Sequence, residues 1–149
     1  MPLTFTLPNE YGYVLLTAAA STFIAQWHAI TTGRYRRAAQ VPYPNAYATA
    51  AEALTSREKY LFNCAQRAHA SFLENYPCML VGMLVGGLQY PVWSAGMGAA
   101  WCVARVVYAL GYVSQGKEGK GRVVGGWYWF PQMGLGVLGG LVGWNMLGL

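Results

Sequence analysis

The chain has 149 residues, of which 55% are hydrophobic and only 10% are charged, and its formal net charge is +5. Ordinary soluble domains carry about 25% charged residues, so this composition argues against a surface that faces water everywhere. The length allows a single domain. Basic side chains are not interleaved with aromatic ones, which argues against a nucleic-acid partner.

Long charge-free runs cover residues 11–33, 75–104 and 123–149. Each is longer than the roughly 20 helical residues that cross a bilayer core, and the middle run is broken by GGLQYP at 86–91. The pattern predicts an all-α integral membrane protein, a bundle of four transmembrane helices near 10–32, 58–87, 92–116 and 123–147. The first helix is expected to be retained, because no basic segment precedes it as in a signal peptide.

Basic residues concentrate in two of the predicted connections. Arg34, Arg36, Arg37, Arg57 and Lys59 lie between the first and second helices, and Lys117, Lys120 and Arg122 lie between the third and fourth. The connection at 88–93 and both tails have no Lys or Arg. By the positive-inside rule, the basic loops are expected in the cytosol and both termini on the lumenal side.

The second and fourth predicted helices contain residues with positional meaning. Ser56, followed by Glu58, is typical of a helix start, and Pro77 is expected to kink the second helix. In the fourth helix, Gly136 and Gly140, and likewise Gly139 and Gly143, stand four residues apart. Such spacing favours close backbone approach in a membrane helix over a nucleotide-binding loop. The three cysteines are interpreted as small packing residues.

Two polar stripes interrupt the apolar helices. At 100° per residue, Asn63, Arg67, Ser71 and Glu74 share one face of the second helix, while His69 falls on another. Arg105, Tyr108 and Tyr112 follow each other at spacings of three and four on the third helix. Ionisable residues at membrane depth usually face the bundle interior or a wet cavity. The alternative is a purely structural role, in which an ion pair, Arg67–Glu74 or Glu74–Arg105, only holds the helices together.

The side-chain types in these stripes match a particular ligand chemistry. Guanidinium groups bind carboxylates, a buried glutamate can hold an ammonium, and tyrosines donate hydrogen bonds. A further arginine beside a thiol would favour the thiolate. Glutathione carries two carboxylates, one amine and one thiol, and the sequence allows this ligand without requiring it.

The chain resembles the membrane-associated eicosanoid and glutathione metabolism (MAPEG) family, and it looks closest to the microsomal glutathione transferase 3 branch. The resemblance rests on EYGYVLLT at 10–17, the FNCAQRAH…LE.YP signature at 62–77 and ARVVYALGY at 104–112. It implies a homotrimer of four-helix subunits in the bilayer, with glutathione as co-substrate between subunits and no metal. Lipophilic electrophiles or lipid hydroperoxides are the implied second substrates.

The resemblance also implies roles for individual residues. Glutathione is expected to bind Arg36, Arg67, His69, Ser71, Glu74, Tyr108 and Tyr112. Arg122 is expected to stabilise the thiolate, and Arg37 to assist the acceptor. Two positions depart from the related leukotriene C synthase: Ser71 replaces an asparagine, and Asn75 replaces a tyrosine. Serine cannot offer the donor–acceptor pair of an amide, which puts glutathione affinity in doubt.

The sequence is consistent with three candidate functions. The leading one is a membrane-bound glutathione transferase and peroxidase of the endoplasmic reticulum, with the outer mitochondrial membrane as the other candidate location. The second is a non-catalytic protein of the same fold that binds and presents lipid. The third is a scaffold in which the polar residues only lock helices together. The arginine set that includes Arg67 and Arg122 favours the first.

Overall fold

The computed structural model describes residues 6–114 and 118–148. Its elements are α1 (Tyr11–Ala39), α2 (Ala50–Thr55), α3 (Arg57–Gly86), α4 (Pro91–Tyr112), a 3₁₀ helix (Lys120–Tyr128) and α5 (Trp129–Leu147). These two ranges contain no strand, so the predicted all-helical fold is confirmed. Lys117 and the predicted end of the third helix at residue 116 lie outside the described residues.

Four long helices form the bundle, and α3 packs against α1, α4 and α5. The core between them is built from large side chains with no exposed surface, among them Phe72, Met83, Trp101 and Leu135. Burying each such side chain contributes about 1.5–3 kcal/mol relative to leaving it exposed, so this cluster holds the four helices together.

The first helix is longer than predicted. It runs to Ala39 instead of ending near residue 32, and Arg36 and Arg37 lie in its last turn. Basic side chains there complement the partial negative charge of the helix C-terminus, which explains why the arginines extend the helix. Gln40 then ends it in the left-handed conformation with φ 52°.

The connection after α1 contains a short helix, α2, that the sequence pattern does not predict. The Thr49 side chain accepts a hydrogen bond from the Glu52 backbone N–H, and the Glu52 carboxylate accepts one from the Thr49 backbone N–H, which forms a complete capping box. Hydrogen bonds from Lys59 and from Thr49 lower the pKa of Glu52 to about 2. The interaction with Lys59 joins α2 to the start of α3.

The predicted start of the second long helix is confirmed. The Ser56 side chain accepts a hydrogen bond from the Lys59 backbone N–H at 3.4 Å, and the helix continues through Pro77 to Gly86. The fourth predicted helix begins differently. Residues 123–128, expected to be α-helical, belong to the 3₁₀ helix, and α5 begins only at Trp129.

Close packing of the 3₁₀ helix against α4 explains that difference. A Cβ atom added at Gly125 would overlap the backbone of Tyr108, and one added at Gly121 would overlap the backbone of Gly111. Only glycine therefore lets these two backbones approach so closely. The contact fixes the segment that carries Arg122.

Of the four glycines of the last helix predicted to allow close approach, only Gly139 lies against another helix within the chain, where an added Cβ would meet Val85 of α3 at 3.8 Å. Within the chain, a Cβ at Gly136, Gly140 or Gly143 would meet nothing within 4 Å. The close contacts come from α3 instead, where a Cβ at Gly82 would lie 3.0 Å from the Leu135 Cβ. Of the cysteines, Cys64 and Cys102 are buried as expected for packing residues, whereas Cys78 is exposed.

Among the described helices, one is long and apolar enough to cross a membrane by length and composition, namely α1. Charged side chains along α3, such as Arg67 and Glu74, lower its hydropathy. The four-span arrangement therefore stays a prediction for the other helices.

Both basic connections lie at the same end of the bundle. A cavity of about 570 Å³ there is lined by Arg57 and Tyr60 from the start of α3 and by Ser114 and Glu118 from the later connection. At the opposite end, the Asn145 side chain donates a hydrogen bond to Gln89 at 2.7 Å. The geometry that the positive-inside rule requires is therefore present.

We expect Gly125→Ala to destabilise the protein by about 2 kcal/mol, because the added methyl group overlaps the α4 backbone. Gly126→Ala is the matched control, since a Cβ at Gly126 meets nothing within 4 Å. Thermal unfolding in detergent measures both variants. Equal midpoints for the two would contradict the close packing of the 3₁₀ helix on α4.

Candidate functional site

Arg67 and Glu74 form an ion pair along one face of α3. Arg67 Nη1 lies 2.8 Å from Glu74 Oε1, and Nη2 lies 3.4 Å from Oε2. Their side chains are 49% and 55% exposed. The pair connects two turns of a single helix, so it cannot lock one helix to another.

Three further predicted residues meet beside α4. The rings of Tyr108 and Tyr112 pack edge to face with centroids 5.6 Å apart. The Arg122 guanidinium carbon lies 5.1 Å from the Tyr112 centroid, and Arg122 Nη1 donates to the Gly119 carbonyl at 2.9 Å. A guanidinium has five N–H donors, so this arginine keeps donors for a ligand.

The two groups lie within electrostatic range of each other. Arg67 lies within Coulomb range of Tyr108 and Tyr112, and Arg122 lies within range of Tyr112. The fold therefore places Arg67, with Glu74 beside it, in the same region as Tyr108, Tyr112 and Arg122. Tyr108 and Tyr112 do not line the 570 Å³ cavity at this end of the bundle.

Ser71 turns away from this group into the core. Its hydroxyl is buried and accepts a hydrogen bond from Arg105 Nη2 at 3.2 Å. Arg105 Nη2 also lies 3.5 Å from the Ala68 carbonyl oxygen. The polar stripe predicted from Asn63 to Glu74 therefore does not form one surface. Ser71 faces the core, whereas Arg67 and Glu74 face outward. The alternative pairing of Glu74 with Arg105 is not formed.

Asn63, at the start of the same stripe, holds the connection before α2. Its amide accepts a hydrogen bond from the Ala48 N–H and donates one to the Ala48 carbonyl, both at 2.9 Å. This reciprocal pair satisfies both halves of the amide, so Asn63 fixes the loop.

Arg36 is buried and bound to its own loop. Its Nη1 donates to the Asn45 carbonyl at 2.7 Å, and its guanidinium carbon lies 4.4 Å from the Tyr43 centroid and 4.6 Å from the Phe62 centroid. Arg37, the next residue, is exposed. Within a single chain, Arg36 therefore organises the connection after α1. Of these two adjacent arginines, only Arg37 is accessible to a ligand or a neighbouring subunit.

His69 lies on the side of α3 that faces α1, away from the predicted stripe. Its ring stacks with His28 at a centroid distance of 6.1 Å, and His28 packs against Phe72 at 4.5 Å. This position agrees with the helical-wheel angle and separates His69 from the group around Arg67.

Two features of the site were missed by sequence reasoning. Arg105 has no exposed surface, and its guanidinium carbon lies 4.6 Å from the Tyr108 centroid and 4.3 Å from the Tyr128 centroid. Its Nε and Nη1 atoms have no acceptor among the described residues. The spacing of Arg105 and Tyr108 is visible in the sequence, but no local pattern indicates that Tyr128 completes the aromatic enclosure.

The second missed feature is a chain of amides in the core. Trp101 Nε1 donates to Gln132 Oε1 at 2.9 Å, and Gln132 Nε2 donates to Asn75 Oδ1 at 3.1 Å. This chain joins α4, α5 and α3. Asn75, which departs from the related synthase, thus has a structural partner that only the tertiary fold provides.

The fold and the site define a helical bundle with one described helix apolar enough to cross a membrane and a cluster of arginines, tyrosines and one glutamate. A model of the MAPEG family matches residues 14–141, and the chain belongs to this family. The family includes glutathione transferases as well as members that are not catalytic, and its members bind glutathione and lipids in general.

We expect Ser71→Ala to lower the unfolding free energy by about 1–3 kcal/mol, because the buried Arg105 loses a hydrogen-bond acceptor. Thr22→Val is the control, since the exposed Thr22 hydroxyl bonds only within its own helix. Thermal unfolding in detergent compares the two variants. A loss no larger than that of Thr22→Val would show that Arg105 does not depend on Ser71.

Proposed function

We propose that the protein is a membrane-bound glutathione transferase with glutathione-dependent peroxidase activity. The observation that carries this proposal is the half-exposed Arg67–Glu74 pair within electrostatic range of Tyr108 and Tyr112, with Arg122 over the Tyr112 ring. Because the pair lies on an open face, a ligand can replace it. Arg67 can release Glu74 to bind the carboxylate of the ligand, and Glu74 can then bind the ammonium of the same ligand. A dry packing lock would instead bury them between helices.

The exposure of the pair also counts against the scaffold function. An exposed ion pair contributes about 0–1 kcal/mol to stability, and this one lies within α3 alone. Such a pair offers little structural benefit for two ionised groups in a membrane protein. Ionised side chains in membrane proteins usually serve a functional site, so ligand binding accounts for both groups better than a structural role does.

Each residue has a proposed task. Glu74 accepts the glutathione ammonium, and Arg67 binds a carboxylate with its planar fork. Tyr108 and Tyr112 donate hydrogen bonds to the peptide. Arg122 stabilises the sulfur as a thiolate, which raises the population of the nucleophile.

The thiolate then reacts with a lipophilic substrate. With an electrophile, a sulfur–carbon bond forms and the leaving group departs, or a proton is added to the product. With a hydroperoxide, the sulfur attacks the terminal oxygen, and the oxygen–oxygen bond breaks to give an alcohol and the sulfenic acid of glutathione. A second glutathione reduces that acid, which yields the disulfide and water.

The proposed assembly is a homotrimer of four-span subunits in the endoplasmic reticulum, with cytosolic basic loops and lumenal termini. A trimer would cover the exposed charged face of α3 with a neighbouring subunit. Because Arg36 is bound to its own loop, we propose that the exposed Arg37 is the cation that a neighbour contributes.

A second candidate function is lipid binding and presentation without catalysis. The inward turn of Ser71 favours it, because a position that carries a glutathione-binding asparagine in the related synthase serves Arg105 here. The two candidates differ in whether bound glutathione becomes a thiolate.

We expect purified protein with glutathione to develop a thiolate absorbance near about 240 nm, which Arg122→Leu abolishes while glutathione still binds. Lys120→Leu is the control, since this exposed cation lies two residues away without a proposed role. Difference spectroscopy and calorimetric titration provide the two readouts. Binding without any thiolate in the unsubstituted protein would favour lipid presentation.

Glu74→Gln should weaken glutathione binding about ten- to a hundredfold, because it removes one charge-assisted hydrogen bond. The free energy of unfolding should change by no more than about 1 kcal/mol, since the pair is half exposed. Glu58→Gln, on the same helix but in its first turn, serves as control. Calorimetric titration that finds equal affinity for both variants would remove Glu74 from the site.

A further inference from the structure

A shallow groove between α1 and α4 contains a cation that the proposed chemistry does not use. It has a volume of about 380 Å³ and is lined by Trp27, Thr31, Arg34, Tyr35, Ala38 and Leu110. Five of these residues follow each other at helical spacing on α1, so they present one continuous face. Arg34 is exposed and belongs to neither ion pair of the described residues.

The groove continues as an apolar track along both helices. On α1, Phe23 is 76% exposed and lies on the same face as Trp27 and Arg34. On α4, Leu110 and Val103 are seven residues apart and are 53% and 58% exposed. From residue 23 to residue 34, the helix rises about 16 Å, which is close to half of a roughly 30 Å bilayer core. An acyl chain in one leaflet has this length.

Arg34 also stands at the correct depth for a headgroup. It lies about 35 Å along α1 from Tyr11, slightly more than one bilayer core, so Tyr11 and Arg34 mark the two interfaces. Trp27 and Tyr35 flank the cation with the amphipathic rings that prefer this zone. The lining residues include no carboxylate, so the groove carries one uncompensated positive charge.

We propose that this groove binds an anionic phospholipid, with its phosphate and headgroup at Arg34 and an acyl chain along Phe23, Leu110 and Val103. The inference rests on the membrane placement proposed above, but it uses none of the residues assigned to glutathione. The positive-inside rule places Arg34 in the cytosolic leaflet, where anionic lipids concentrate.

The test uses the full chain in nanodiscs made from equal amounts of phosphatidylserine and phosphatidylcholine. After extraction into detergent and gel filtration, native mass spectrometry measures which lipids the protein retains. We expect a preference for phosphatidylserine that falls about fivefold in Arg34→Gln, the loss expected for one surface cation. Arg34→Lys should keep the preference, because it keeps the charge.

Arg57→Gln is the matched control, since it removes an exposed arginine at the same end of the bundle but outside the groove. It should leave the preference unchanged, and an equal loss would overturn the site in favour of bulk charge. Equal retention of the two lipids by the unsubstituted protein would also overturn it. Release of the lipid by millimolar inorganic phosphate would show that the groove binds free phosphate instead.

Two further measurements separate this inference from the others. If a second copy of the chain covers the groove, Arg34→Gln changes the oligomeric mass by light scattering without changing lipid retention, and the inference is wrong. Glutathione titration of the same samples should be unaffected by Arg34→Gln. If the unsubstituted protein does not bind glutathione, the proposed function is wrong. Selective retention of phosphatidylserine by the same protein would still support the lipid site.

Discussion

A guanidinium without any exposed surface must find its partners inside the fold, and Arg105 is that group here. Its hydrogen bond to Ser71 joins α4 to α3, and the faces of Tyr108 and Tyr128 enclose it from α4 and the 3₁₀ helix. Burying a guanidinium without polar or aromatic contacts is costly, and the contacts with Ser71, Tyr108 and Tyr128 join these elements around it. The arrangement of the site follows from that requirement.

The enclosure of Arg105 decides which polar residues remain for a ligand. Ser71 is used inside the core, while Arg67 and Glu74 stay on the open face of the same helix. Tyr108 contacts the buried arginine and also borders the open group. It therefore connects the structural centre of the bundle with the residues to which we assign glutathione chemistry.

The 3₁₀ helix has a comparable double role. Its glycines let it lie directly against α4, and this contact brings Arg122 to Tyr112. Hydropathy predicts an α-helix from residue 123, whereas the 3₁₀ helix continues to Tyr128. Arg122 therefore lies in a segment whose position the glycine contacts with α4 fix.

The sequence by itself determined the helical class, the family, the basic end of the bundle and the residue types at the site. Hydropathy runs and helical spacing are local properties, so they can be read without a fold. Helical spacing allowed Glu74 to pair with Arg67 or with Arg105, and only the tertiary structure decided for Arg67. It also decided that Ser71 faces inward and that Arg36 serves its own loop. Ser71 turns inward because of Arg105, a residue 34 positions away whose proximity no local pattern encodes.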